Sequence, residues 1–101
     1  MCGRYTANLD YDEEIRSIYT ATAVAYPGVK LNSGEIFPTN TVPVLRGISG
    51  GISPMPAIWG YPKYTGKGVI INAKAETAAE KYTFRDSLFY RRCAIPTTGY
   101  I

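Results

Sequence analysis

Apolar residues recur at two spacings along this chain, and the change of period divides it into elements. Tyr11, Ile15, Ile18 and Tyr19 fall three to four positions apart, the spacing that places side chains on one face of an α-helix. Asp10 with Glu13 three residues on has the form of an acidic capping box. Asp12, Glu13 and Glu14 would then occupy a first turn where the helix dipole favours anions. The pattern predicts a helix over residues 11–20. Pro27-Gly28 marks a turn. Between Thr41 and Arg46, Val42, Val44 and Leu45 have strand character, and Pro43 restricts that strand to a sheet edge or to its own start. Residues 47–51 hold three glycines and suit a hairpin loop, with residues 52–61 as the return strand.

Val69-Ile70-Ile71 is a continuous β-branched run, the mark of a buried strand. It leads into Asn72-Ala73-Lys74-Ala75-Glu76-Thr77, where strand period would set Asn72, Lys74 and Glu76 on one face. Residues 84–91 read as a short helix with Arg91 and Arg92 at the end that attracts cations. Arg4-Tyr5-Thr6, Ala94-Ile95-Pro96 and Gly99-Tyr100-Ile101 complete a set of brief strands. The sum is an α+β fold, mainly antiparallel β and barrel-like, with two short helices. All of it fits one domain over residues 1–101.

Charge sharpens the picture slightly. Residues 1–46 carry four basic and five acidic side chains, and residues 47–101 seven and three, so net charges of −1 and +4 face each other within a total of +3. A basic second half is compatible with a polyanionic partner without demanding one. No apolar run reaches membrane-spanning length and no secretory signal opens the chain, which points to a cytoplasmic protein without a membrane partner. Cys2 and Cys93 are then expected as reduced thiols. With no histidine and two cysteines, neither a metal site nor a cofactor is expected.

The chemistry concentrates at Cys2. If Met1 is trimmed, Cys2 presents an α-amino group and a thiol on adjacent carbons, with reference pKa values of about 8 and about 8.5. A 1,2-aminothiol condenses with an aldehyde to an imine, which sulfur closes to a thiazolidine; the same pair could attack a carbonyl as an activated nucleophile. Ordinary packing of a small thiol is the plainer alternative. Asn72 would either cap a backbone group or face a site. Lys74 and Glu76 could pair with each other, Trp59 could serve the core, and Arg85, Arg91 and Arg92 could be a solvated helix end.

Taken together, Met1-Cys2-Gly3-Arg4-Tyr5, Pro38-Thr39-Asn40, Trp59-Gly60, residues 71–77, Phe84-Arg85 and residues 91–96 occur in an order that resembles the SOS-response-associated peptidase (SRAP) family, the abasic-site processing proteins. The resemblance covers all 101 residues and about the N-terminal half of the family's domain. It implies an incomplete barrel-like SRAP fold and a protein that traps abasic sites in single-stranded DNA through a thiazolidine at Cys2. By matching position, Asn72 would orient the attack, Arg4, Lys74, Arg85 and Arg91 would contact phosphates, and Asn40 and Trp59 would line the DNA groove. Cations tracking a backbone beside an aromatic platform suit single-strand binding.

Two departures qualify the resemblance. Lys74 stands where the family usually has arginine, keeping the charge but losing the bidentate fork. The family's catalytic glutamate would follow Ile101 directly and its histidine would come later, so these 101 residues are expected to cross-link slowly. An incomplete barrel is also expected to leave strand edges through which copies could associate. Two other readings stay open: a peptidase that processes only its own N-terminus, and a non-catalytic fragment binding single-stranded DNA.

Overall fold

Helix α1 (Glu13–Ala25) starts where a side chain takes over from the backbone: Asp12 Oδ1 accepts the Ile15 N–H at 3.0 Å. In this computed structural model, which describes residues 3–63 and 65–100, Asp10 does not cap the helix. Its N–H is engaged by Asn8 Oδ1 at 2.9 Å, so α1 begins two residues later than the Asp10–Glu13 spacing suggests. Tyr11 is left outside the helix, 87% exposed. The buried stripe is Ile15, Tyr19 and Thr22. Thr22 is a polar member that an apolar pattern misses, and its hydroxyl is satisfied by the Ile18 carbonyl at 2.7 Å. That extra turn carries α1 to Ala25, where Tyr26 and Pro27 end it.

Strand β1 (Tyr5–Ala7) lies between β2 (Gly34–Ile36) and β8 (Gly99–Tyr100), antiparallel to both, with Tyr5 opposite Ile36 on one side and Tyr100 on the other. The longest strands, β3 (Thr41–Ile48) and β4 (Gly51–Ile58), form a hairpin, and β7 (Cys93–Ala94) pairs with the far side of β3 at Leu45 and Arg46. A third pair joins β5 (Tyr61–Pro62) to β6 (Val69–Ile70). With α2 (Tyr82–Tyr90), the fold is α+β with antiparallel strands, as expected. Among the described residues the three sheets do not close into a barrel.

Several local expectations need correction. The hairpin loop is only Ser49-Gly50, because Gly50 takes φ +88° and lets both strands run further. The return strand stops at Ile58, so Trp59 lies just beyond it. Pro43 sits in the middle strand of its sheet, but β7 reaches only Leu45 and Arg46, so nothing needs the N–H that Pro43 lacks. Pro43 faces Pro56, and Leu45 faces Pro54. Since proline cannot donate, these must be the non-bonded pairs of the ladder, and the outer margin of β4 lacks two N–H groups in its middle.

Residues 72–76 are not a strand. The Lys74 carbonyl accepts the N–H groups of Thr77 (3.2 Å) and Ala78 (2.9 Å), winding the chain into a turn. Asn72, Lys74 and Glu76 therefore do not share a strand face. Nor do Lys74 and Glu76 pair: the ion pairs among the described residues are Arg4–Glu35 and Arg85–Asp86. Helix α2 starts two residues earlier than expected and ends before Arg91, and β6 is two half-buried residues rather than a fully buried run.

The core is Tyr5, Ala7, Ile15, Tyr19, Ile36 and Val42, with Leu9, Leu31 and Trp59 packed against it. Each large member contributes on the order of 1.5–3 kcal/mol through burial. The Tyr19 hydroxyl donates to the Asn32 carbonyl at 2.6 Å, and Asn32 Oδ1 accepts the Thr41 N–H at 2.9 Å, tying α1 to the start of β3. Among the described residues no helix is long and apolar enough to cross a membrane.

Candidate functional site

Trp59 is placed by two neighbours in space. The turn Pro38-Thr39-Asn40 grips its backbone: the Thr39 N–H donates to the Trp59 carbonyl (2.9 Å) and the Trp59 N–H to the Asn40 carbonyl (3.0 Å). Asn40 Oδ1 in turn accepts the Phe37 N–H at 2.9 Å. Thr39 has φ +76°, a left-handed conformation in which a β-branched residue is strained by roughly 1–3 kcal/mol. On its other side, Gly60 takes φ +111°, and a Cβ there would lie 2.9 Å from Val69 Cβ and Cγ2. Glycine is thus required for Trp59 to leave β4 and for β6 to pass close by. The Trp59 ring lies 5.6 Å from the Tyr5 ring at 46°. The indole packs against the core and also lines a hollow.

That hollow, about 220 Å³, is lined by Trp59, Tyr61, Asn72 and Phe84 among others. Tyr61 and Phe84 meet edge-on with centroids 5.3 Å apart. A second hollow of about 420 Å³ shares Asn72 and Phe84 and adds Lys74, Thr77, Lys81 and Thr83. The structure therefore brings Trp59, Asn72 and Lys74 to one region, although 71–77 is coil and turn rather than strand. Asn72 is exposed and lines both hollows, and among the described residues its carboxamide makes no protein hydrogen bond, so no cap by it is seen there.

The other expected residues stand elsewhere. Arg85, next to Phe84 on α2, holds its guanidinium 5.8 Å from the Tyr82 ring and 3.9 Å from Asp86. Arg4 is bound to Glu35 at 2.7 Å and lies over the Phe37 ring, so any phosphate would compete with a carboxylate already in place. Asn40 spends its side chain on the turn that holds Trp59. Arg91 lies by a different hollow, its Nη2 3.3 Å from Ser87 Oγ. Cys2 lies outside the described residues. Sequence reasoning overlooked Lys81, Thr83 and the ring of Phe84. Their signal was available: Lys81 sits one helical turn before Arg85, so the two cations share a side of α2.

Burial pushes the Tyr5 hydroxyl up to about 12, with Tyr19 beside it adding to the rise; burial does the same for Tyr19. Both phenols thus stay neutral well beyond ordinary pH.

These features define a small α+β domain with an aromatic and amide hollow bordered by lysines. Over residues 1–101 the chain matches the family of SOS response associated peptidases (SRAP), and it belongs to that family. No curated protein and no solved structure matches it. Membership associates the chain with the response to DNA damage and, in general terms, with DNA as partner.

Proposed function

We propose that this protein captures abasic sites in single-stranded DNA through Cys2, in the cytoplasm, once Met1 is removed. The α-amine of Cys2 adds to the aldehyde of the ring-opened sugar and water leaves, forming an imine. The thiol then adds across that C=N bond, sulfur to carbon and its proton to nitrogen, and the product is a thiazolidine. Asn72 orients the sugar and the amine. Trp59 and Phe84 offer aromatic surface to the flanking bases, while Lys74, Lys81 and Arg85 meet phosphates, with Arg4 and Arg91 further along the strand. An abasic nucleotide has no base to unstack, so drawing it into the hollow costs little.

The observation that supports this reading best is the convergence of Trp59, the unengaged Asn72 carboxamide, Lys74 and Lys81 on adjoining hollows, in a chain whose family is tied to DNA damage. No histidine is present among these 101 residues. A positioned acid or base contributes about 10²–10⁴-fold to the proton transfers in such a reaction.

Intact-mass spectrometry after incubation with an abasic oligonucleotide tests the reading. The expected product is a single adduct of protein lacking Met1 and DNA, minus one water, that Cys2→Ser abolishes. Trp59→Ala should weaken binding of the same oligonucleotide by about tenfold. An adduct that survives Cys2→Ser would overturn the proposed chemistry.

A further inference from the structure

Hairpin β3–β4, strand β7 and the end of α2 enclose another hollow, of about 360 Å³, away from Asn72. Its floor is apolar (Val44, Met55, Ala57), Tyr90 and Cys93 stand beside it, its rim carries Arg46, Arg91 and Arg92, and among the described residues no acidic side chain lines it. Arg91 and Arg92 lean on α2 through Ser87 Oγ (3.3 Å) and the Leu88 carbonyl (2.7 Å). Among the described residues none of the three has a carboxylate partner. Guanidiniums without counter-ions around an apolar floor with an aromatic ring beside it suit an occupant with an apolar tip and acidic flanks.

The molecule exposes a segment of that composition in Asp10-Tyr11-Asp12-Glu13-Glu14. Tyr11 is 87% exposed, with no ring partner and no hydrogen bond from its hydroxyl among the described residues. Asp10, Glu13 and Glu14 have no ion-pair partner there, and the nearby Arg16 gives its Nε to the Leu9 carbonyl at 3.0 Å. We propose that the arginine-rimmed hollow docks this segment of a second copy. Tyr11 enters over Met55 and Val44, and the acidic side chains meet Arg46, Arg91 and Arg92. The two surfaces share no residue, so the contact joins unlike patches. The acidic segment lies in residues 1–46, of net charge −1, and Arg91 and Arg92 in residues 47–101, of net charge +4, with Arg46 at the boundary between them.

A nucleic-acid strand is the competing occupant, since Tyr90 also lines the hollow and Arg91 is one of the phosphate contacts proposed above; it would leave the protein monomeric when no DNA is present. Pairing through the margin of β4 is disfavoured by Pro54 and Pro56. A contact this small is weak, with dissociation in about the micromolar range or above.

Sedimentation velocity without DNA, at about 100 μM protein, separates the outcomes. The wild-type chain should self-associate and lose that association by at least about tenfold when salt rises from about 50 to about 500 mM. Two exposed-surface variants, Tyr11→Ser/Glu13→Lys/Glu14→Lys and Arg46→Glu, should each be monomeric with unchanged circular dichroism. An equimolar mixture of the two should restore a one-to-one pair, since each keeps the surface the other has lost. A monomeric wild-type chain, variants that associate as the wild type does, or a mixture that stays monomeric would each overturn the proposal. DNA capture is read by a separate adduct assay, so either reading can fail alone.

Discussion

Gly60 shows how much one missing carbon can decide. Its φ of +111° excludes ordinary side chains, and any Cβ would meet Val69 at 2.9 Å. Gly60→Ala should therefore destabilise the fold by about 2–4 kcal/mol, the sum of backbone strain and overlap. Urea unfolding measures this, and adding Val69→Ala should recover the steric share alone. No change in the single variant would remove Gly60 as the reason the chain can turn after Trp59. The pair Trp59-Gly60 was visible in the sequence as a motif, but the reason for the glycine was not, because Val69 lies nine positions on. Asn72 and Lys74 were also legible as candidates. Their setting was not: the backbone bonds to the Lys74 carbonyl override the alternation of side chains that suggested a strand.

Among elements, α1 was the most readable because Ile15 and Tyr19 repeat at helical spacing over a full turn. Its boundaries were less so: Asp12, which the pattern places in the first turn, is the cap, while the N–H of Asp10 is taken by Asn8. This assignment has a measurable outcome. Asp12→Ala should cost about 1 kcal/mol of stability in thermal unfolding, while Asp10→Ala costs little; equal losses would show that the cap is shared. Residues 47–51 failed as a loop because a single left-handed glycine, Gly50, suffices to reverse the chain. Of the two-residue strands, β6 was legible in its β-branched run and β7 was legible to within a residue or two, whereas β5 carries too little pattern to announce itself.

At the level of the whole molecule, the α+β class followed from the mixture of periods, whereas sheet order did not. Pairing the first strand with the last described one joins positions more than ninety residues apart, and no local spacing encodes that. The same long-range packing buries Tyr5 against Tyr19, and burial holds both hydroxyls near 12 against 10 in the unfolded chain. Folded-state values above unfolded ones mean a stabilising contribution that is intact below pH 10 and lost as pH climbs from 10 through 12. Unfolding free energy should fall across that window, and Tyr5→Phe should reduce the slope; a flat profile would contradict the burial of these phenols.

The prolines of the long hairpin have a consequence for the fate of the protein at high concentration. Cross-β growth recruits strand upon strand through continuous rows of donors and acceptors. Along the outer side of β4 that row is interrupted at positions 54 and 56, so fibrils seeded from this hairpin would have no register in which to lengthen.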